Sequence, residues 1–102
     1  MKFGSTLSIS HPNYQDSLTL GDDSFAVEFG NQNVTGKVTV EISDDGGLTW
    51  VFVGVYDQQK NGTLSTIYPM IDGSPSTNTR LRLTSVDNPQ IQGVTDFFNA
   101  HP

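Results

Sequence analysis

Residues 37–56 read KVTVEISDDGGLTWVFVGVY, and the fold class turns on that stretch. Val38, Val40 and Ile42 alternate with Lys37, Thr39, Glu41 and Ser43. A period of two gives a strand one apolar face and one wet face, so the spacing predicts a strand over Lys37 to Ser43. Asp44, Asp45, Gly46 and Gly47 follow, two turn-forming aspartates and then two glycines that supply the positive backbone angles of a tight reversal. The chain returns in a second strand, Thr49 to Tyr56. Here Trp50, Phe52 and Tyr56 alternate with Val51, Val53 and Val55, so both faces are apolar. A hairpin is therefore expected, carrying the chain's single tryptophan.

Outward from the hairpin, further short strands recur at intervals of about ten residues, each closed by turn residues. Thr6 to Ser10 is ended by His11, Pro12 and Asn13, and Ser17 to Leu20 by Gly21, Asp22 and Asp23. Ser24 to Gly30 sets Phe25, Val27 and Phe29 on one face against Ala26 and Glu28 on the other. Asp57 to Gly62 reads as a polar turn. Thr63 to Ile71 reads as a strand whose Pro69 confines that end to an edge or bulge. After a loop over Asp72 to Asn78, Thr79 to Val86 points Leu81 and Leu83 inward and Arg80, Arg82 and Thr84 outward. Asp87, Asn88 and Pro89 turn the chain, and Thr95 to Ala100 is the last strand. No segment of ten residues has helical apolar spacing. Seven or eight antiparallel strands in one domain spanning residues 1–102 predict an all-β, immunoglobulin- or fibronectin-III-like sandwich. The long loop before Thr79 fits a crossing between sheets better than a hairpin within one, which favours the sandwich over a small closed barrel.

The totals exclude several functions. A chain of 102 residues buries roughly 65% of its unfolded surface, enough for one core. Five Lys and Arg against eleven Asp and Glu leave a net charge of −6, which repels nucleic-acid backbones and anionic membranes. There is no cysteine, hence no disulfide or thiolate chemistry. No apolar run of signal-peptide or membrane-spanning length follows Met1, so the sequence is expected to be a self-standing protein made without a signal, or a fragment of a longer one.

Ser43, Asp45, Gly47, Thr49 and Trp50 fit the spacing S-x-D-x-G-x-T-W, so the turn resembles an Asp-box. The resemblance implies that Asp45 and the hydroxyls bond backbone groups across the turn while Trp50 packs beneath. Sialidase-like propellers carry the same motif, but they need several blades, an arginine cluster and a tyrosine nucleophile. This chain has one copy, and Arg80 and Arg82 are its only arginines. A broader resemblance runs through Leu18 to Gly21, Phe25 to Phe29, Val38 to Trp50, Arg80 to Thr84 and Thr95 to Phe98. Those segments are similar to the immunoglobulin-like and fibronectin-III-like modules of bacterial and phage surface proteins. That similarity implies the sandwich fold. Such modules serve as spacers, adhesins, carbohydrate-contacting units and virion decorations alike.

Candidate sites are few. His11 and His101 precede prolines far apart in the chain, without the partner spacing of a metal site or a triad. Asp22, Asp23, Asp44, Asp45, Asp57, Asp72 and Asp87 fall in turns, where carboxylates cap amides; a shared Ca²⁺ between converging loops is the alternative. Glu28 and Glu41 sit on wet strand faces with no second carboxylate in a cleft. No serine lies in a nucleophile-elbow context, and Lys37, Lys60 and Arg80 read as solvated. The expectation is therefore no catalytic residue, no metal and no cofactor. Pairing of the first hairpin strand with Thr79 to Val86 brings Glu41 opposite the two arginines as a cross-strand ion pair. Asn33-Val34-Thr35 and Asn61-Gly62-Thr63 spell glycosylation sequons that matter only on a eukaryotic secretory route.

The return strand carries the functional expectation. An edge strand with two apolar faces needs cover, from Asp57 to Gly62, from the N-terminal segment, or from another subunit. Val51, Val53, Val55 and Tyr56 are the candidate partner-binding residues. The chain is expected to be a non-catalytic structural protein attached to a larger assembly, as a capsid-decorating or tail-associated protein on a virion surface, with a homo-oligomer as the other form of partner. The alternative is an extracellular adhesion or carbohydrate-contacting module using Trp50, Tyr56 or Tyr68. Neither nucleic acid nor membrane insertion is expected.

Overall fold

The computed structural model of the protein describes residues 6–22 and 25–102. Ten strands occur among these: β1 Thr6–His11, β2 Ser17–Thr19, β3 Val27–Gln32, β4 Lys37–Ser43, β5 Val51–Asp57, β6 Gln59–Asn61, β7 Leu64–Ile67, β8 Ser76–Ser85, β9 Gln92–Val94 and β10 Phe98–His101. They build an all-β sandwich of two sheets. One has the order β1-β3-β7-β6; the other runs β2-β10-β8-β4-β5, with β9 also paired to β8.

The decisive stretch forms as its pattern requires. Val38 and Val40 are fully buried and Ile42 nearly so, while Thr39 and Glu41 are half-buried and Lys37 is exposed. Gly46 and Gly47 take φ of 79° and 103°, the left-handed region that two side chains would resist. The turn is longer than four residues, however, and β5 begins only at Val51. Val27, Phe29, Leu81 and Leu83 are fully buried, as their alternation predicts, with Phe25 packed at the margin of the core. Each such side chain contributes about 1.5–3 kcal/mol by leaving water.

Four expectations are corrected. Asp57 to Gly62 is not only a turn: Gln59–Asn61 pairs with β7 as a short edge strand. Gln92–Val94 pairs with β8 and was not expected as a strand at all. The strand predicted over Thr63 to Ile71 is only Leu64–Ile67, ending before Pro69. The pairing is not wholly antiparallel either, because β10 runs parallel to β2, with Ala100 opposite Leu18. Ser24, the predicted start of the third strand, and the turn residue Asp23 lie outside the described residues, as do residues 1–5.

Two details position the outer surface. Between β4 and β5 the register slips: Val40 faces Gly54 but Glu41 faces Phe52, leaving Val53 as the extra residue of a bulge. At the opposite margin β9 closes the sandwich against β1. Gly93 lies so close to the Leu7 carbonyl that an added Cβ would sit 2.5 Å from its oxygen. A single residue, Gln58, separates β5 from β6 and carries the chain from one sheet to the other. It is held in place by Asn31, whose side-chain amide also donates to Val34 O at 2.8 Å and whose Oδ1 accepts from Val34 N at 2.9 Å. Ser65 Oγ donates to Gln58 Oε1 at 3.1 Å. No buried side-chain polar atom among the described residues lacks a partner.

Candidate interaction face

Because β5, β4, β8 and β9 lie side by side in a fixed register, their outward residues form rows. One row reads Phe52, Glu41, Arg82, Val94; the next reads Val55, Thr39, Thr84, Gln92. The expected ion pair sits in the middle of the first row. Arg82 donates from Nε to Glu41 Oε1 and from Nη2 to Oε2, both at 2.9 Å, a fork-to-fork geometry that fixes both side chains. Trp50 stacks over the guanidinium at 4.4 Å from the ring centre. Glu41 therefore faces only one of the two arginines. Arg80, opposite Ser43, donates from Nε to Thr95 O at 2.9 Å and lies 5.0 Å from the ring centre of Phe97. The outer ends of the rows are apolar and exposed: Phe52 at 62%, Val55 at 46% and Val94 at 40%.

The turn between β4 and β5 caps one end of this face. Ser43 donates its hydroxyl to Asp45 Oδ1 at 2.6 Å and accepts from Gly47 N at 2.8 Å. Asp45 Oδ1 also accepts from Leu48 N at 3.1 Å and Thr49 N at 3.0 Å, and Oδ2 accepts from the Thr49 hydroxyl. The Ser43 hydroxyl, then that of Thr49, hold the Asp45 carboxyl far below the usual carboxylate range. The turn is tied to β8 by Gly46 N donating to Asn78 O at 2.9 Å and Ser76 Oγ to Asp44 O at 2.8 Å. Ser43, Asp45, Gly47 and Thr49 thus work together as one brace, while Trp50 is held on Arg82 beside it.

The candidate partner-binding residues are brought together only in part: Val51 and Val53 line one shallow depression with Ile42, Met70 and Asp72, whereas Val55 lies on the outer face. Val53 and Tyr56 pack against the core. The bulge separates Val51, opposite buried Ile42, from Val55, opposite half-buried Thr39 on the outer face. Phe52 rather than Val53 is what β5 presents beside Glu41. Phe97 and Val94, also part of the exposed apolar border, lack an alternating pattern around them; the only hint in the sequence is an aromatic two residues beyond Thr95.

His11, which the sequence places in the turn after the first strand, is instead the last residue of β1 and has acidic neighbours. Its Nδ1 lies 3.0 Å from Asp16 Oδ2 and its Nε2 3.9 Å from Glu28 Oε2, its cross-strand neighbour. The hydrogen bond to Asp16 raises its pKa above 6.5. The adjoining depression, about 260 Å³ and lined by Pro12, Phe25 and Ala26, falls short of the roughly 300–1,000 Å³ of ligand pockets. His101 is exposed, and its ring Nδ1 lies 3.2 Å from the Pro102 carbonyl oxygen. Among the described residues no group of three His, Asp or Glu is arranged to hold a metal ion. The chain matches no known protein-family model and no curated protein.

Proposed function

We propose that this chain is a non-catalytic structural module that joins a larger protein assembly through the outer face of its six-stranded sheet. The observation that carries the reading is the pair of rows just described: a neutralised, rigid Glu41–Arg82 pair bordered by exposed Phe52, Val55 and Val94. Apolar groups held on a stiff sheet lose little conformational entropy on docking, and a fully paired charge adds no uncompensated desolvation. The sandwich, its single Asp-box-like turn and the sequence likeness to immunoglobulin-like surface modules favour a virion surface as the setting. A protein contact is favoured over a glycan platform because Trp50 is engaged by Arg82 and Tyr56 faces the core.

The test is co-sedimentation of the labelled chain with virus particles purified from its source. Pelleting with particles, lost on Phe52→Asp or Val94→Lys, is the expected result. A chain that stays in the supernatant overturns the particle setting, and one that pellets undiminished by either substitution overturns the choice of face.

A further inference from the structure

Resting on the reading of this face as a contact surface, we propose that its partner is a second copy of the same chain, the two sheets meeting face to face about a two-fold axis that runs between β4 and β8. The row Phe52, Glu41, Arg82, Val94 is its own complement. Turned about that axis, Phe52 of one copy lies against Val94 of the other, and Glu41 against Arg82, in both directions at once. This is the isologous arrangement that a two-fold demands. The second row behaves alike, with Thr39 against Thr84 and Val55 against Gln92.

Charge selects the same surface. Outward positions of these strands hold Lys37, Arg80 and Arg82 against Glu41 and Asp57, a sum of +1, so the rest of a chain of net charge −6 carries −7. Contact between copies through most other surfaces sets like charges together; here it does not. Edge-to-edge pairing through β5 is disfavoured by the bulge at Val53, which twists that edge away from a flat partner strand. Strands of 7, 7, 10 and 3 residues, rising about 3.3 Å per residue and spaced about 4.8 Å apart, offer about 400 Å² of sheet in plan. That is small beside the roughly 800 Å² per partner of a standard interface, so the dimer is a weak one, formed at high concentration.

Sedimentation of the purified full chain tests this. The mass should rise from 11.1 kDa toward twice that value as concentration passes through the range of about 10 µM to 1 mM. Phe52→Asp and Val94→Lys, each at an exposed position and checked for fold by circular dichroism, should each weaken association by about tenfold or more. Mixed together, the two variants should dimerise where neither does alone, because the axis places the new Asp against the new Lys. A chain that stays monomeric at about 1 mM, or a dimer indifferent to both substitutions, overturns the proposal. If the chain is monomeric while the same substitutions still abolish particle binding, the partner is foreign and only the two-fold pairing falls.

Discussion

Replacing Gly93 with alanine sets two effects of opposite sign against each other. Gly93 lies outside the left-handed region, so alanine is conformationally acceptable there, and the loss of unfolded-state freedom alone stabilises by about 0.4–1 kcal/mol. The added Cβ, however, would stand 2.5 Å from the Leu7 carbonyl oxygen, 3.1 Å from its carbon and 3.3 Å from its Cβ. Backbone must move by about half an ångström to reach even 3.0 Å, and Leu7 is fixed by pairing with Asn31 in the β1–β3 ladder. Overpacking of this kind costs about 1–3 kcal/mol, so clash wins and the net loss is about 1–2 kcal/mol. At about 4–8 °C per kcal/mol for a domain near this size, the midpoint of thermal unfolding falls by about 4–16 °C. Gly30→Ala is the matched control: its Cβ would meet Ser8 O at 3.8 Å, an ordinary contact, so it is neutral or raises the midpoint. Calorimetry of both variants decides. A Gly93→Ala protein as stable as the parent, or a Gly30→Ala protein equally damaged, refutes the claim that β9 seals the sandwich against β1.

Four further outcomes follow from the contacts. Asn31→Ala strips partners from Val34 and Gln58 at a nearly buried position and should cost about 1–3 kcal/mol in urea unfolding. A double-mutant cycle on Glu41 and Arg82, each about one quarter exposed, should give a coupling of about 0.5–1 kcal/mol, with Arg82→Ala also releasing Trp50 and shifting its fluorescence. The Asp45 carboxyl is depressed in the fold, so its contribution is present above the unfolded value of 3.8 and is lost as pH falls below it. Asp45→Asn should therefore lower the thermal midpoint at pH 7 and flatten the acid limb of the stability profile. His11 is raised, so the contribution of its pair with Asp16 is full below pH 6.5 and fades as pH rises through the folded value. An NMR titration of the imidazole should show the raised midpoint, and Asp16→Asn should bring it down.

Where the chain alternates cleanly, sequence and structure coincide. Lys37–Ser43 has the predicted ends, and the pairing of β4 with β8 sets Glu41 opposite Arg82 because two wet faces at matching register leave little choice. The bulge was illegible: Val51, Phe52, Val53 and Val55 are all apolar, so nothing in their pattern reports a slip of one residue, and that slip redistributes them between the two faces. β6 and β9 were missed for a different reason. Gln59–Asn61 is wholly polar and Gln92–Val94 holds a single β-former, Val94, beside a glycine, so neither reads as a strand; both are extended because β7 and β8 offer them unpaired edges. The brace around Asp45 could be read from residue spacing, whereas the exposed border of Phe52, Val94 and Phe97 depends on which strands become neighbours.

The parallel pairing of β2 with β10 bears on how the chain is made. Phe98–His101 lies inside its sheet, between Ser17–Thr19 and β8, so a strand made late in this stretch completes what a much earlier one starts. During synthesis that slot stays empty until residue 101 has left the ribosome. Until then Leu18, destined for full burial, has no neighbouring strand on that side. Ribosome-bound chains halted short of Phe98 should thus be open to protease and to chaperones, with folding switched on as residues 98–101 emerge rather than gained strand by strand.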